Sequence, residues 1–184
     1  MHALPGRAAA WLRIARLHFY PPVLVLYLVG ALAARREGAA FDAGQCLLGA
    51  TYLFLVVLAT SMANEYVDHA ADRVNANAGP FSGGSRVLVE GRLGAPAVRT
   101  AIVLAVGLAV LAGSVLVARA PAARAPAMSA MALAALVLGL GYTMPPLKLS
   151  FRGLGEPDVA FLHSIFVAVF GSVVQTGAST ATPL

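Results

Sequence analysis

The chain has 184 residues, 59% of them hydrophobic and 11% charged, with a mean hydropathy of +0.80. A soluble domain carries roughly 25% charged residues, so this composition excludes a mainly water-facing surface, and its apolar richness also excludes disorder. The net charge of +5 would suit nucleic acid, but the 13 Lys and Arg residues lie scattered between apolar runs. They form no basic stripe, and no nucleic-acid partner is expected. Cys46 is the single cysteine, which excludes an intrachain disulfide.

In chain order, residues 8–19 come first, with Trp11, Arg13, Arg16 and His18 spaced as in a short amphipathic helix at a membrane interface. Charged residues then punctuate the chain. Arg16 to Arg35 encloses 18 residues without Lys, Arg, Asp or Glu; Asp42 to Glu65 encloses 22; Arg99 to Arg119 encloses 19; Arg124 to Lys148 encloses 23; and 26 follow from Val159. A helix of about 20 apolar residues crosses a bilayer core of ~30 Å. Five spans are therefore expected, in an all-α polytopic transmembrane bundle, with residues 1–184 as a single integral-membrane domain. A β-barrel would need shorter segments of alternating polarity, whereas stretches such as 101–117 are continuously apolar. Ala31-Leu32-Ala33 has the small-residue pattern of a signal-peptidase site, but the length of the run and the spans after it favour retention.

Orientation follows the distribution of basic residues. With the N-terminus cytoplasmic, nine of the 13 fall inside, and Arg35, Arg36, Arg119 and Arg124 fall outside. The expected location is a bacterial inner membrane, with both polar loops, 65–99 and 144–158, on the cytoplasmic side.

The second apolar run leads into Asn64-Glu65-Tyr66-Val67-Asp68-His69-Ala70-Ala71-Asp72. Asn64, Asp68 and Asp72 recur every four residues, so a continuing helix places them on one face. Oxygen ligands of this kind suit Mg²⁺, which takes one or two carboxylates together with substrate phosphates and water. Glu65 and His69 are expected to point elsewhere. Acidic residues at a helix C-terminus oppose the helix dipole, which favours a functional reason for them over a solvating one. Downstream, the Gly/Ser-rich run 79–86 ends on Arg86 and has the composition of a phosphate-cradling turn. Tyr142, Lys148 and Arg152 surround Met144-Pro145-Pro146 in the second polar loop. Facing an acidic site from there, they would complete a diphosphate pocket.

Asn64-x-x-x-Asp68-x-x-x-Asp72 at the end of a second span resembles the first aspartate-rich motif of the UbiA superfamily of intramembrane prenyltransferases. The run from Tyr142 through Pro145-Pro146-Leu147-Lys148 to Arg152 and Gly153-Leu154-Gly155-Glu156 is similar to the loop after that family's fourth span, closest in the 1,4-dihydroxy-2-naphthoate branch. Trp11-Leu12-Arg13-Ile14-Ala15-Arg16 fits its leading segment. The resemblance implies Mg²⁺-dependent transfer of a prenyl group from an isoprenyl diphosphate to an aromatic acceptor, in menaquinone-type quinone biosynthesis. It implies Asp68 and Asp72 as catalytic metal ligands with Asn64 supporting them. Arg86, Tyr142, Lys148 and Arg152 would be diphosphate contacts, Lys148 also being catalytic. That family has about nine spans and a second aspartate motif near the sixth. The four aspartates here, Asp42, Asp68, Asp72 and Asp158, contain no second DxxxD. The expectation is that this chain corresponds to the N-terminal five spans and is inactive alone. Two other readings are a carboxylate-based membrane transporter or ion pathway, and a CDP-alcohol phosphotransferase-like enzyme, although no Asp-Gly occurs here.

Overall fold

In a computed structural model, residues 6–75 and 84–176 are described, and among them the regular structure is entirely helical. The helices are α1 (Gly6–Ala15), α2 (Tyr20–Arg36), α3 (Ala43–Val67), α4 (His69–Val74), α5 (Ala95–Ala118), α6 (Ala125–Gly141), α7 (Gly155–Phe161) and α8 (Val167–Gln175). A five-residue π turn, Leu162–Phe166, joins α7 to α8.

Four segments are long and apolar enough to cross a membrane: Gly6–Arg36, Ala43–Val67, Ala95–Ala118 and Gly155–Gln175. The remaining expected span, α6, fourth in chain order, is shorter, at 17 residues. Its uncharged run continues to Leu147, but Pro145 and Pro146 cannot extend a helix and disfavour helical geometry just before them. Charge spacing alone therefore overstated its length. The first segment also differs from a continuous rod. Arg16 adopts a left-handed conformation (φ 51°), and a 3₁₀ turn, Leu17–Phe19, follows before α2 begins. The expected interfacial helix is thus α1, separated from the span by a break.

The long helices α3, α5 and α6 are largely apolar on all sides, and burial rather than polarity distinguishes their faces. On α5, Val98, Ile102, Ala105, Ala109, Gly113 and Leu116 are inward, while Val103, Leu104, Leu108 and Leu111 are exposed, as lipid-facing residues would be. Half of these inward positions, Ala105, Ala109 and Gly113, are small, which lets helix backbones approach closely in a membrane. Pairing is most extensive between α3 and α5 and between α2 and α8.

The main core gathers Tyr27, Tyr52, Phe166 and Phe170 with aliphatic residues of α2, α3, α5, α6 and α8. Its two buried phenols are satisfied by backbone: Tyr27 donates to the Cys46 carbonyl at 2.8 Å, and Tyr52 donates to the Ala132 carbonyl. A second cluster near the other end joins Ala10 and Ile14 of α1 with Ala59, Met62 and Ala63 of α3 and Val98 and Ile102 of α5. Val87, Leu88 and Leu93 belong to it, so the segment before α5 is anchored by burial.

The two ends of the bundle differ. At one, Asp42 caps α3 by accepting from Gln45 N at 2.9 Å. Its own N–H donates to Gln175 Oε1 at 2.8 Å, and Gln175 Nε2 donates back to the Asp42 carbonyl at 3.1 Å. Gln45 reaches the Leu116 carbonyl, and Arg124 donates to Thr176. These bonds tie α3, α5 and α8 together, and both polar loops lie at the opposite end.

Candidate functional site

The helical ladder survives the junction between α3 and α4. Asp68 N donates to the Asn64 carbonyl at 2.9 Å and Asp72 N to the Asp68 carbonyl at 2.8 Å, so the four-residue spacing keeps its geometry. Asn64, Asp68 and Asp72 therefore climb one face, as expected. Asp72 is buried and Asp68 half-buried. Burial, then the charge of Asp72, pushes the Asp68 carboxyl above the usual carboxylate range. Burial, then the charge of Glu65, does the same to Asp72.

Glu65 and His69 do not point away. Glu65 is 1% exposed, and both it and His69 act electrostatically on Asp72. Seven residues turn a helix to within roughly 20° of two full turns, so Glu65 lies near Asp72, a neighbourhood that four-residue steps alone do not reveal. Glu65 accepts from Ser85 N and Ser85 Oγ, each at 2.7 Å. The backbone of Gly84, at φ 73°, presses so close that a Cβ there would run into Asp72 Oδ2. Arg13 holds the same strap by donating to the Ser85 carbonyl at 3.0 Å.

Arg86 has a left-handed backbone (φ 61°), and its Nη1 donates to the carbonyls of Asp72 (3.1 Å) and Asn75 (3.2 Å). It thus covers exposed carbonyls at the end of α4, where a cation also meets the helix dipole favourably. Residues 79–83 of the Gly/Ser-rich run lie outside the described residues.

The second loop is held to the end of α6 by the Tyr142 carbonyl, which accepts from Ser150 N at 2.9 Å and Ser150 Oγ at 2.8 Å. Burial, then the charge of Asp68, raises the Tyr142 phenol, so this ring belongs to the same group. Lys148 and Arg152 do not join it: both are exposed, with Lys148 over the Phe151 ring at 5.5 Å and Arg152 donating to the Pro146 carbonyl at 3.0 Å. The basic residue whose charge reaches all three groups is instead Arg16, which opposes the upward shifts of Asp68, Asp72 and Tyr142. Sequence reading placed Arg16 at the interface. Only the left-handed break that turns it inward brings it here, and no sequence signal announces that break.

Arg16, Asn64, Tyr142 and Asp158 line a cavity of about 290 Å³ that continues between α2, α3, α6 and α7 along apolar walls. Thr60 Oγ1, Asn64 Oδ1 and Asp158 Oδ2 are buried with no hydrogen-bond partner among the described residues. Among those residues, no three His, Cys, Asp or Glu side chains converge as a metal-binding group. An oxygen-only Mg²⁺ site with one or two carboxylates does not require such a group. No protein family's sequence profile, no characterised protein and no solved structure matches this chain.

Proposed function

We propose that the chain carries the donor-binding side of an Mg²⁺-dependent intramembrane prenyltransferase, which binds an isoprenyl diphosphate and serves an aromatic acceptor in quinone biosynthesis. The observation that carries this reading is the stack of Asn64, Asp68 and Asp72 within reach of the Arg16 charge, with Asn64 and Arg16 both lining an apolar cavity. Asp68 and Asp72 repel each other in a half-buried setting, which a divalent cation would relieve, and Asn64 Oδ1 is a buried acceptor in need of a partner. The oxygen donor set therefore fits magnesium. Bound there, the cation would neutralise charge on a diphosphate leaving group.

The chain's own residues supply the rest. Arg16 offers a fixed positive charge on the same side, and Tyr142 a hydroxyl beside Asp68. Arg86 fixes the end of α4, and Glu65 with Ser85 holds the backbone strap against Asp72. Lys148 and Arg152 would act from the rim, through long side chains. The apolar walls exclude water from an allylic tail, so that charge developing at the leaving group meets preorganised groups in a low-dielectric space.

The test is binding of geranyl diphosphate to the chain in lipid nanodiscs. Affinity should fall at least about tenfold on removing magnesium and again with Asp68→Asn or Asp72→Asn, while geraniol should show no magnesium dependence. Binding indifferent to both magnesium and Asp68→Asn would sink the reading. Magnesium binding that geranyl diphosphate leaves unchanged would instead favour an ion pathway.

A further inference from the structure

The end of the bundle where Asp42 meets Gln175 carries four arginines, Arg35, Arg36, Arg119 and Arg124, all of them exposed. Only Arg124 has a hydrogen-bond or ion-pair partner for its side chain among the described residues, the Thr176 hydroxyl at 3.0 Å. Both ion pairs among those residues involve Glu90, at the opposite end. Basic residues on the outward side work against the topology that the remaining nine favour. The helix dipole favours a cation after α2 or α5, but it does not explain where Arg119 goes.

The Arg119 guanidinium crosses from the end of α5 to the first turn of α3. Its Nη2 would stand 3.3 Å from a Cβ built on Gly44, so the glycine makes room for it. Asp42 Oδ1 borders the same spot but is engaged by Gln45 N. Leu47 and Phe54 continue the Gly44 face of α3 towards mid-bundle, and both are exposed. α5 borders this face on one side, where exposed Val115 lies one turn from Arg119. α2 borders it on the other: the Tyr20 ring lies 4.7 Å from that of Phe54, and Tyr27 donates to the Cys46 carbonyl. Leu28 and Arg35 stand eight residues after these two tyrosines, two turns and about 80° further round the helix. Both are exposed, while Gly30 meets α8 from the opposite edge. The α3 face is therefore an apolar strip open to lipid, with an unpaired guanidinium on each flanking helix at one membrane interface.

We propose that this strip binds an anionic phospholipid, with Arg119 and Arg35 holding the phosphate and an acyl chain lying over Leu47 and Phe54. A guanidinium donates in a planar fork that matches phosphate oxygens, and anionic headgroups concentrate at basic clusters of this kind. The apolar strip beneath selects a phosphate that carries a tail over a free anion. The site lies at the end opposite the carboxylates, and neither magnesium nor a diphosphate takes part in it.

The test titrates the delipidated chain in maltoside detergent with dioleoylphosphatidylglycerol and, as control, dioleoylphosphatidylcholine, which has the same tails but no net charge. Native mass spectrometry counts the bound lipid. Phosphatidylglycerol should bind at least about tenfold more tightly, and Arg35→Gln combined with Arg119→Gln should erase that difference. Arg7→Gln combined with Arg99→Gln removes the same charge from exposed positions at the other end and should leave it intact. Equal binding of the two lipids to the unaltered chain overturns the proposal without recourse to any variant. So does a folded chain lacking Arg35 and Arg119 that keeps the preference. An equal loss in both double variants would make the preference one of net charge, and would overturn the site. Inorganic phosphate that displaces phosphatidylglycerol at matched concentration would show that the anion alone is recognised, and would overturn the lipid as ligand.

Discussion

Glu65, Asp68 and Asp72 share the end of one helical rod, and their burial together with their repulsion determines how the site responds to pH. Asp68 and Asp72 both titrate above the ordinary aspartate value of about 3.9, through burial first and a neighbouring carboxyl second. Between the ordinary and raised values the folded chain binds more protons than the unfolded one. The contribution of this pair to stability therefore falls as pH rises through that window. A divalent cation that binds the ionised pair acts in the opposite direction. Thermal unfolding in detergent should accordingly show magnesium raising Tm near pH 7 but not near pH 4, with Asp68→Asn removing the magnesium effect. A magnesium effect that persists at the acidic end, or in the variant, would place the cation elsewhere. At this scale the spacing of Asn64, Asp68 and Asp72 was legible because four-residue steps map directly onto one helix face. The Glu65–Ser85 bonds were not, since they join residues 20 apart through a loop whose path no periodicity encodes.

The helices themselves are packed by what their glycines leave out. A Cβ on Gly30 of α2 would run into the Ala168 carbonyl, and one on Gly171 of α8 into the Tyr27 carbonyl, so each glycine admits the other helix's backbone. Gly107 on α5 is exposed and has nothing within 4 Å of such a Cβ. Gly171→Val should destabilise the bundle by about 1–3 kcal/mol or more, whereas Gly107→Ala should be neutral or stabilising by up to about 1 kcal/mol. Unfolding of both variants in the same detergent measures the contrast, and similar effects would show that α2 and α8 do not depend on this contact. The spans could be read from the chain because charged residues are too costly to place in hydrocarbon and so mark its limits. The shortening of α6, the left-handed turn at Arg16 and the π turn in residues 162–166 were beyond that reading. The first follows from Pro145 and Pro146 and the other two from how neighbouring helices and loops meet, whereas charge spacing reports only where a helix can remain apolar.

At the scale of the whole molecule, the antiparallel bundle sorts its charge by end. Arg35, Arg36, Arg119 and Arg124 lie with the Asp42–Gln175 clamp, while the other nine basic residues lie on segments at the end that holds the carboxylates and the cavity mouth. A bias of nine to four predicts that the site faces the cytoplasm, where soluble diphosphates and magnesium are available, and that the clamp faces outward. The chain is well suited to testing this, because its only cysteine, Cys46, is buried in the core. Ala123→Cys introduces a thiol on the exposed turn at the clamp end, and Phe151→Cys introduces one at the site end, where Phe151 is 60% exposed. A membrane-impermeant maleimide added to intact cells should label Ala123→Cys and leave Phe151→Cys unlabelled until the membrane is permeabilised. The reverse pattern would put the carboxylates outside, away from any cytoplasmic diphosphate, and would remove the physical basis for a prenyl donor site at that end.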